Sequence, residues 1–399
     1  LLVLIGWANI YASVYNEEHQ SILDLSQNYG RQMIWILSSL LIALVIIFID
    51  AKFFIAFSLP IYLIICISLV AVLFLGKVVA GSKSWFQLGP FAFQPSEFAK
   101  FATALLLARF MSILDFDIKK FRNQLIIMLI IFFPAGLIFL QNDTGSALVY
   151  LSFFLVLFRE GMSSRVLLLG FAVIVLGIVA LLVDKFILIG VFAGLCVLSM
   201  FLIKRKFKNI MLVLGLLIAS ASFVFVVDYA FENILEAHQR TRINVLLGKE
   251  IDLYGAGYNV NQSKIAIGSG GLFGKGFLNG TQTKFDFVPE QSTDFIFCTV
   301  GEEWGFMGSL ATIFLYMMLL IRLIRLSERQ KSSFTRIYGY GVASVLFFHF
   351  AVNIGMTIGL LPVIGIPLPF FSYGGSSLWA FTILLFVFIK LDSDRINLL

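Results

Sequence analysis

Long runs of apolar residues recur along the whole sequence, and they constrain its fold more than any other feature. One of them reads MIWILSSLLIALVIIFID (residues 33–50). A run of about 18 apolar residues or more is long enough to cross a bilayer as a helix. Because 60% of the 399 residues are hydrophobic and only 13% are charged, a water-soluble domain would have to expose large apolar patches. The sequence therefore predicts an integral membrane protein with many spans.

The apolar runs do not alternate apolar and polar residues as the strands of a transmembrane barrel do. We therefore predict an all-α polytopic membrane protein, with a single transmembrane domain over residues 1–399 and about twelve spans. Cysteines within apolar runs behave as small hydrophobes, so we expect neither a disulfide framework nor a metal site from Cys66, Cys196 and Cys298. The predicted spans cover residues 1–14, 33–50, 53–75, 95–112, 124–140, 145–158, 165–183, 186–203, 209–227, 295–321, 337–356 and 375–391.

Most of the 29 Lys and Arg residues fall in one of the two alternating sets of loops between these spans. Positive charges collect on the cytoplasmic side of a membrane, so both termini are predicted to be cytoplasmic. Residues 228–294 then form a large extracytoplasmic loop. The net charge of +6 follows from the same bias, so it does not call for a nucleic-acid partner.

The predicted outer loop contains the glycine-rich stretch GSGGLFGKG (residues 268–276). A phosphate-binding loop of the Walker type needs a glycine where this chain has Ser269, and Ser or Thr where it has Gly276. We therefore reject a nucleotide site and favour a glycine-rich turn. Close approach of this backbone to a bound pyrophosphate remains a second interpretation.

Two pairs of polar residues lie within predicted spans. In QPSEFAKF (residues 94–101), Glu97 and Lys100 are three residues apart and share one helix face. Charges at such depth pair with each other or face a cavity, so this pair is either purely structural or also binds an anionic substrate. His349 and Asn353 are four residues apart, and we interpret them as interhelical hydrogen-bonding groups rather than ligands.

Two other polar stretches interrupt apolar runs. In QNDTGSA (residues 141–147), Asp143 is compatible with a tight outer turn and equally with a site residue. In GIPLPFFSYGGSS (residues 365–377), prolines and glycines break the helical pattern. Nonhelical backbone at membrane depth survives only when it is buried in protein or lines a wet cavity. We therefore predict that this segment lines the same cavity as Asp294.

The stretch FVPEQSTDFIFCTVGEEWGF (residues 287–306) sets several carboxylates at the mouth of a predicted span. Thr293 and Asp294 stand where the outer loop becomes helix, so either is a candidate N-cap. A helix N-terminus also stabilises a carboxylate in its charged form, as a general base requires. Capping does not account for Glu302 and Glu303, which lie two turns deeper.

Four stretches together resemble the SEDS family (shape, elongation, division and sporulation), and its RodA branch more than its FtsW branch. They are KSWFQLGPFAFQPSEFAK, GAGYNVNQSKIAIGSGGLFGKGFLNGTQTKFDFVPEQSTDFIF, GEEWGF and PLPFFSYGGSS. The resemblance runs in order over nearly the whole chain. It implies a peptidoglycan glycosyltransferase that polymerises lipid II on the outer face of the bacterial cytoplasmic membrane during cell elongation. It also implies a class B penicillin-binding protein, a transpeptidase, as partner, together with the elongation machinery.

The same resemblance assigns roles to individual residues. Asp294 matches the essential aspartate of the family, Glu97 and Lys100 match its conserved pair, and Trp85 matches its loop tryptophan. The chain departs from the family at three places: Ser292 stands where His is common, QNDTGSA lacks the proline of the usual QPDLGTA, and an extra helical hairpin at residues 165–203 adds two spans to the usual ten.

The resemblance implies a mechanism in which Asp294 is the catalytic base. It would take the proton of the acceptor sugar 4-hydroxyl as this oxygen attacks the donor anomeric carbon with inversion. A divalent cation, Mg²⁺ or Mn²⁺, is a candidate to assist the pyrophosphate leaving group, without assigned ligands. Four cationic side chains are further candidates: Lys100, Arg240, Arg242 and Lys264. The other substrate-binding candidates are Trp85, Glu97, Asp143, Glu290, Thr293, Ser372 and Gly374.

Two functions of other classes compete with this hypothesis. A lipid II flippase or transporter would use a similar charged cavity, but it needs polar sites that are reachable from the cytoplasm as well. The predicted polar clusters lie on the outer side only. A non-catalytic scaffold of the elongation machinery would have no need for a carboxylate at position 294.

Overall fold

In the computed structural model, helices account for most of the chain, which confirms the prediction of a helical membrane protein. The structure describes residues 1–15, 21–22, 24–79, 81–89, 91–202, 206–233, 235, 237–247, 249, 256–284 and 287–395. The helices are α1 (Leu2–Ser13), α2 (Asn28–Phe48), α3 (Ala51–Ala56), α4 (Ser58–Leu75), α5 (Pro95–Met111), α6 (Phe121–Leu140), α7 (Thr144–Leu148), α8 (Phe153–Arg159), α9 (Ser164–Leu182), α10 (Lys185–Leu202), α11 (Phe207–Asn233), α12 (Ala237–Leu246), α13 (Ala256–Ser269), α14 (Thr281–Lys284), α15 (Ile296–Glu303), α16 (Gly305–Glu328), α17 (Ser333–Thr357) and α18 (Gly375–Ser393).

Each of the twelve predicted spans coincides with one helix or with consecutive helices. Among the described residues, eight helices are long and apolar enough to cross a membrane: α2, α4, α6, α9, α11, α16, α17 and α18. The segment predicted as one span over residues 295–321 is two helices, because the chain turns between α15 and α16 at Gly305, whose φ is +65°. Glycine adopts this left-handed conformation without steric cost. The number of crossings and the side of the termini stay predictions.

A small antiparallel sheet, which the sequence analysis did not predict, lies between α4 and α5. Its strands are β1 (Lys77–Val79), β2 (Ser82–Leu88) and β3 (Phe91–Phe93), in the order β1-β2-β3. Lys77 pairs with Trp85 across the first ladder. The backbone N–H of Lys83 donates to the carbonyl of Gln141 at 3.0 Å, so the sheet is tied to the turn that begins QNDTGSA.

The chain divides into two compact units, residues 1–162 with 258–399 and residues 163–257. In the first unit α5 is the central helix, because all its residues except Arg109 and Phe110 are buried. It packs against α4, α6, α17 and α18. Small side chains along α5, such as Ala102 and Ala108, allow this close approach. Its polar residues other than Arg109 therefore face protein rather than lipid.

The second unit contains the hairpin predicted at residues 165–203, which is formed by α9 and α10; residue 203 lies outside the described residues. Both helices pack against α11. Lys185 of α10 pairs with Asp228 of α11 at 2.7 Å. None of the residues of α9 is buried, as expected for an apolar helix that faces lipid. The predicted loop 228–294 contains the end of α11 and helices α12 to α14, and its residues 234, 236, 248, 250–255 and 285–286 lie outside the described residues.

Candidate functional site

Asp294 lies just before α15, at the junction that the sequence analysis singled out. Helix α15 begins at Ile296 and its N-cap position is Phe295. The expectation that Thr293 or Asp294 is the N-cap was therefore wrong: the helix starts one residue later, and the hydroxyl of Thr293 donates to Glu290 Oε2 at 2.9 Å instead. The Asp294 side chain is half-buried.

The segment from Gly365 to Tyr373 closes on Asp294, as predicted for GIPLPFFSYGGSS. A β-carbon at Gly365 would lie 3.4 Å from Asp294 Oδ2, so the carboxylate borders the backbone of this segment. The hydroxyl of Ser372 donates to the carbonyl of Thr293 at 2.6 Å, and the N–H of Tyr373 donates to the carbonyl of Ser292 at 2.8 Å. Residues 292–294 are thus held in place by chain that follows α17.

Asn353 of α17 connects these two segments. Its side-chain Nδ2 donates to the carbonyl of Asp294 and to the carbonyl of Ile366, both at 2.8 Å. The side chain is fully buried. Asn353 was expected to form an interhelical hydrogen bond, but its partners are two loop carbonyls next to the candidate base.

Glu97 and Lys100 form the expected ion pair inside the protein. Lys100 Nζ lies 2.8 Å from Glu97 Oε1, and both side chains are no more than 3% exposed. Lys100 Nζ also lies 3.0 Å from His349 Nε2 and 5.3 Å from the centre of the Phe381 ring. An ammonium group has only donors, so Nε2 must accept and His349 Nδ1–H donates to the carbonyl of Pro367 at 3.1 Å. The Lys100 ammonium is therefore occupied by protein groups.

Asp143 is a helix cap, which supports the interpretation of QNDTGSA as a tight turn. Its Oδ1 accepts from the backbone N–H of Ser146 at the start of α7. Its Oδ2 accepts from Gln94 Nε2 at 3.0 Å and from the Ser96 hydroxyl at 3.2 Å. Asp143 thus joins the start of α7 to the start of α5.

Glu302 anchors the glycine-rich loop. Its buried carboxylate accepts from Lys275 Nζ at 2.7 Å and from the backbone N–H groups that open α14. The hydroxyl of Thr283 also donates to it at 2.9 Å. Further backbone bonds connect the N–H of Lys275 to the carbonyl of Glu302 and the N–H of Phe306 to the carbonyl of Gly271. Through these contacts GSGGLFGKG forms a turn that is hydrogen-bonded to the junction of α15 and α16.

Glu303 lies beside Glu302 in α15, before the long apolar helix α16 begins. A β-carbon at Gly280 would contact both carboxylates, at 3.1 Å and 3.3 Å. Burial raises the pKa of Glu303 to about 7, and the negative charge of Glu302 adds to this shift. The two neighbouring carboxyl groups therefore do not carry full charges together in neutral or mildly acidic solution.

The other predicted site residues lie at different places. Trp85 is half-buried in β2, and Glu290 is exposed in a left-handed conformation with φ +55°. Lys264 is an exposed residue of α13 whose ammonium lies against Gly359. The N–H of Gly374 donates to Gln32 Oε1 at 3.2 Å. Arg240 and Arg242 belong to α12 in the second unit, whereas Asp294 belongs to the first.

Metal ligands are not grouped in the described part of the chain: no three His, Cys, Asp or Glu side chains come together there in a way that would hold an ion. The carboxylate nearest in sequence to Asp294, that of Glu290, already accepts from Thr293. A divalent cation therefore stays a candidate without assigned ligands among the described residues.

Sequence reasoning missed several side chains that build this site. Gln94 and Ser96 hold Asp143, and Lys275 holds Glu302. A polar residue flanking a helix start was the available signal for Gln94 and Ser96, since such side chains often satisfy nearby backbone or carboxylate groups. Nothing in the sequence pairs Lys275 with a glutamate 27 residues away.

Comparison with known proteins gives relatives that match most of this chain. The family model for FtsW, RodA and SpoVE, described as "Cell cycle protein", matches residues 1–189 and 186–396. The peptidoglycan glycosyltransferase RodA of Treponema pallidum is 33% identical over 403 residues, which cover 95% of this chain and 92% of that protein. The peptidoglycan glycosyltransferase MrdB of Escherichia coli K12 is 39% identical over 318 residues, which cover 79% and 72%.

Solved structures share the fold. A chain of a peptidoglycan synthase complex, described as coordinating polymerization and crosslinking, superposes with a TM-score of 0.71 at 28% identity and covers 99% of this chain and 95% of that chain. The crystal structure of the rod shape determining protein RodA of Thermus thermophilus superposes with a TM-score of 0.64 at 26% identity and covers 99% and 94%.

Proposed function

This chain belongs to the FtsW, RodA and SpoVE family of cell cycle proteins, and from that membership we propose how its residues act. It is a multi-pass membrane protein and a peptidoglycan glycosyltransferase of the RodA type, which polymerises glycan strands during cell elongation. We propose that lipid II is both donor and acceptor, and that the reaction takes place at Asp294.

In this mechanism Asp294 is the general base. Its carboxylate takes the proton of the acceptor 4-hydroxyl, the freed oxygen electron pair bonds to the donor anomeric carbon, and the bond from that carbon to the pyrophosphate oxygen breaks. The leaving group departs with the electron pair. The observation that carries the proposal is the placement of Asp294: it precedes α15 without being its N-cap, is half-buried, and lies against Gly365.

Lys264 is the best placed of the proposed cations in the first unit. Its side chain is exposed, whereas the ammonium of Lys100 is held by Glu97 and His349. Ala266 of α13 packs in one apolar cluster with Phe295, so α13 lies beside the Asp294 segment. Residues two apart point to different sides of a helix, so the proposal for Lys264 rests on its exposed charge, which would stabilise the negative charge that develops on the pyrophosphate. Arg240 and Arg242 keep the same proposed role on the basis of the sequence.

Glu97 and Trp85 complete the proposed substrate site. The Oε2 atom of Glu97 is buried and accepts no hydrogen bond from any described residue. A buried carboxylate oxygen without a donor is unfavourable, so a substrate hydroxyl that reaches it would be bound tightly. Trp85 would contact the sugar from the sheet that is tied to Gln141.

The test of the base is Asp294→Asn in purified enzyme that is supplied with lipid II. The substitution keeps the shape of the side chain and removes the proton acceptor. Loss of a general base typically lowers the rate by about 10² to 10⁴, so polymerisation should fall to background while the melting temperature stays near that of the wild type. The matched control is Asp50→Asn, an aspartate that caps α3, which should polymerise normally.

Two outcomes would contradict the assignment. Substantial polymerisation by Asp294→Asn would move the base to Glu290, the exposed carboxylate that precedes it. An equal loss of stability and activity would show that Asp294 has a structural role.

We also propose a class B penicillin-binding protein as partner, with both proteins in the bacterial cytoplasmic membrane. This is supported by the likeness to a chain of a complex that coordinates polymerization and crosslinking. Co-purification of such a transpeptidase with this protein from membranes, and higher polymerisation by the pair than by this chain alone, would be expected. Absence of both effects would count against the partner.

A further inference from the structure

We propose that Asn353 is a positioning residue for the general base, because its side chain fixes the backbone of Asp294 against residues 365–367. This inference rests on the proposed role of Asp294. Asn353 itself need not touch the substrate.

The backbone at Asp294 depends on such a contact because it lies outside any helix. Helix α15 starts at Ile296, so the carbonyl of Asp294 is bound by a side chain, through Asn353 Nδ2. The same nitrogen donates to the carbonyl of Ile366. An amide group has two N–H donors on one atom, which allows one residue to join two carbonyls from separate segments.

The distance between the Asp294 segment and residues 365–367 decides which atoms lie next to the Asp294 carboxylate. Asp294 Oδ2 lies against Gly365, the residue before Ile366. Asn353 therefore contributes both to the position of the Asp294 backbone and to the position of the neighbouring segment. A shift of about 1 Å at a reacting group is enough to lower a rate about 10²-fold.

Helix α17 holds the following carbonyl as well. His349, one turn before Asn353, donates to the carbonyl of Pro367 and accepts from Lys100. Ile366 and Pro367 are thus bound by two residues on one edge of α17. This edge connects the buried Glu97 and Lys100 pair to the segment that borders Asp294.

The test compares Asn353→Asp with Asn353→Leu. Both variants are close to asparagine in size, but leucine has no donor, and a carboxyl group has at most one O–H donor in place of the two N–H donors of the amide. We expect kcat to fall about 10²-fold in both, with KM for lipid II within about twofold of the wild type because substrate contacts are unchanged.

The control for lost stability is Gln330→Glu. Gln330 is buried at the end of α16, and its Nε2 donates to the carbonyl of Leu326 and to Asp392. The same change from amide to carboxylate should lower the melting temperature there without changing kcat per folded molecule. Activity of Asn353→Asp that falls only in proportion to its stability would overturn the inference. So would a raised KM with unchanged kcat.

The inference and the proposed base fail in different ways. If Asp294→Asn is inactive while both Asn353 variants keep the wild-type kcat, Asp294 remains the base and the positioning role is wrong. If Asp294→Asn polymerises substantially, the base is elsewhere and the premise of the positioning role is removed.

Discussion

Three carboxylates within ten residues of one another differ in what surrounds them, and the surroundings separate their roles. Asp294 is half-buried beside Gly365. Glu302 is fully buried and accepts from an ammonium group, a hydroxyl and several backbone N–H groups, so it is a structural anchor. Glu303 is buried with a pKa of about 7. Of the three, Asp294 alone is both partly accessible and placed against the segment that follows α17.

The ion pair of Glu97 and Lys100 leads to a prediction at the scale of residues. Removal of one member of a buried pair typically costs about 3 to 5 kcal/mol, because the other charge is left uncompensated. Glu97→Ala and Lys100→Ala should each lower stability by more than half of the loss in the double variant. The measurement is a double-mutant cycle on the free energy of unfolding in detergent micelles. Additive losses would show that the two side chains do not interact.

At this scale the sequence revealed contacts between near neighbours but not contacts between distant ones. The spacing of Glu97 and Lys100 predicted their pairing, because residues three apart share a helix face. The bonds of Asn353 could not be predicted, since Asp294 is 59 residues away and the bond ends on a carbonyl that every residue possesses. The second hydrogen-bonding partner of Lys100, His349, is 249 residues away.

The glycine-rich turn shows how an element is fixed by what it packs against. At Gly274 a β-carbon would lie 2.0 Å from the carbonyl oxygen of Glu303, and φ there is +79°. At Gly271 φ is +57°, but no atom lies within 4 Å of the added carbon. Both glycines thus have a left-handed backbone, but only Gly271 has room for a β-carbon.

This difference gives a matched pair of variants. Gly271→Ala should lower the free energy of unfolding by about 1 to 2 kcal/mol, the cost of left-handed backbone for a residue with a side chain. Gly274→Ala should lower it by about 3 kcal/mol or more, because overpacking adds to that cost. Thermal unfolding of both variants tests this. Equal losses of unfolding free energy would mean that the turn can move away from α15 at no energetic cost.

Elements were predictable from the sequence where they are long. A span of about 20 apolar residues gives a clear signal, and every predicted span is helical. Strands β1 and β3 have only three residues each, too few for an alternating pattern to stand out. The sheet was therefore missed, and so was the break between α15 and α16, which the sequence marks only by Glu302, Glu303 and Gly305 between two apolar runs.

At the scale of the whole molecule, the division into two units predicts what can be removed. The acidic, histidine and amide residues that surround Asp294 and Lys100 belong to the first unit. Helices α9 and α10 contribute mainly apolar residues. Deletion of both removes two predicted crossings, so every later segment keeps its predicted side of the membrane. A variant without residues 165–202 should keep polymerase activity per folded molecule within about tenfold, a range set by small shifts of geometry. Loss of activity in a well-folded deletion would show that the hairpin takes part in catalysis.

The contacts around Asp294 also have a consequence for the making of the protein. Its carbonyl is bound by a residue 59 positions later, and the neighbouring Thr293 by one 79 positions later. A ribosome adds about 5 to 20 residues per second, so Asp294 is added to the chain roughly 3 to 16 seconds before these partners. In the proposed mechanism, a nascent chain that ends before α17 has the base but not the groups that hold it. We therefore expect the enzyme to become active only when its last helices are inserted, and a chain that terminates before α17 to start no glycan strand.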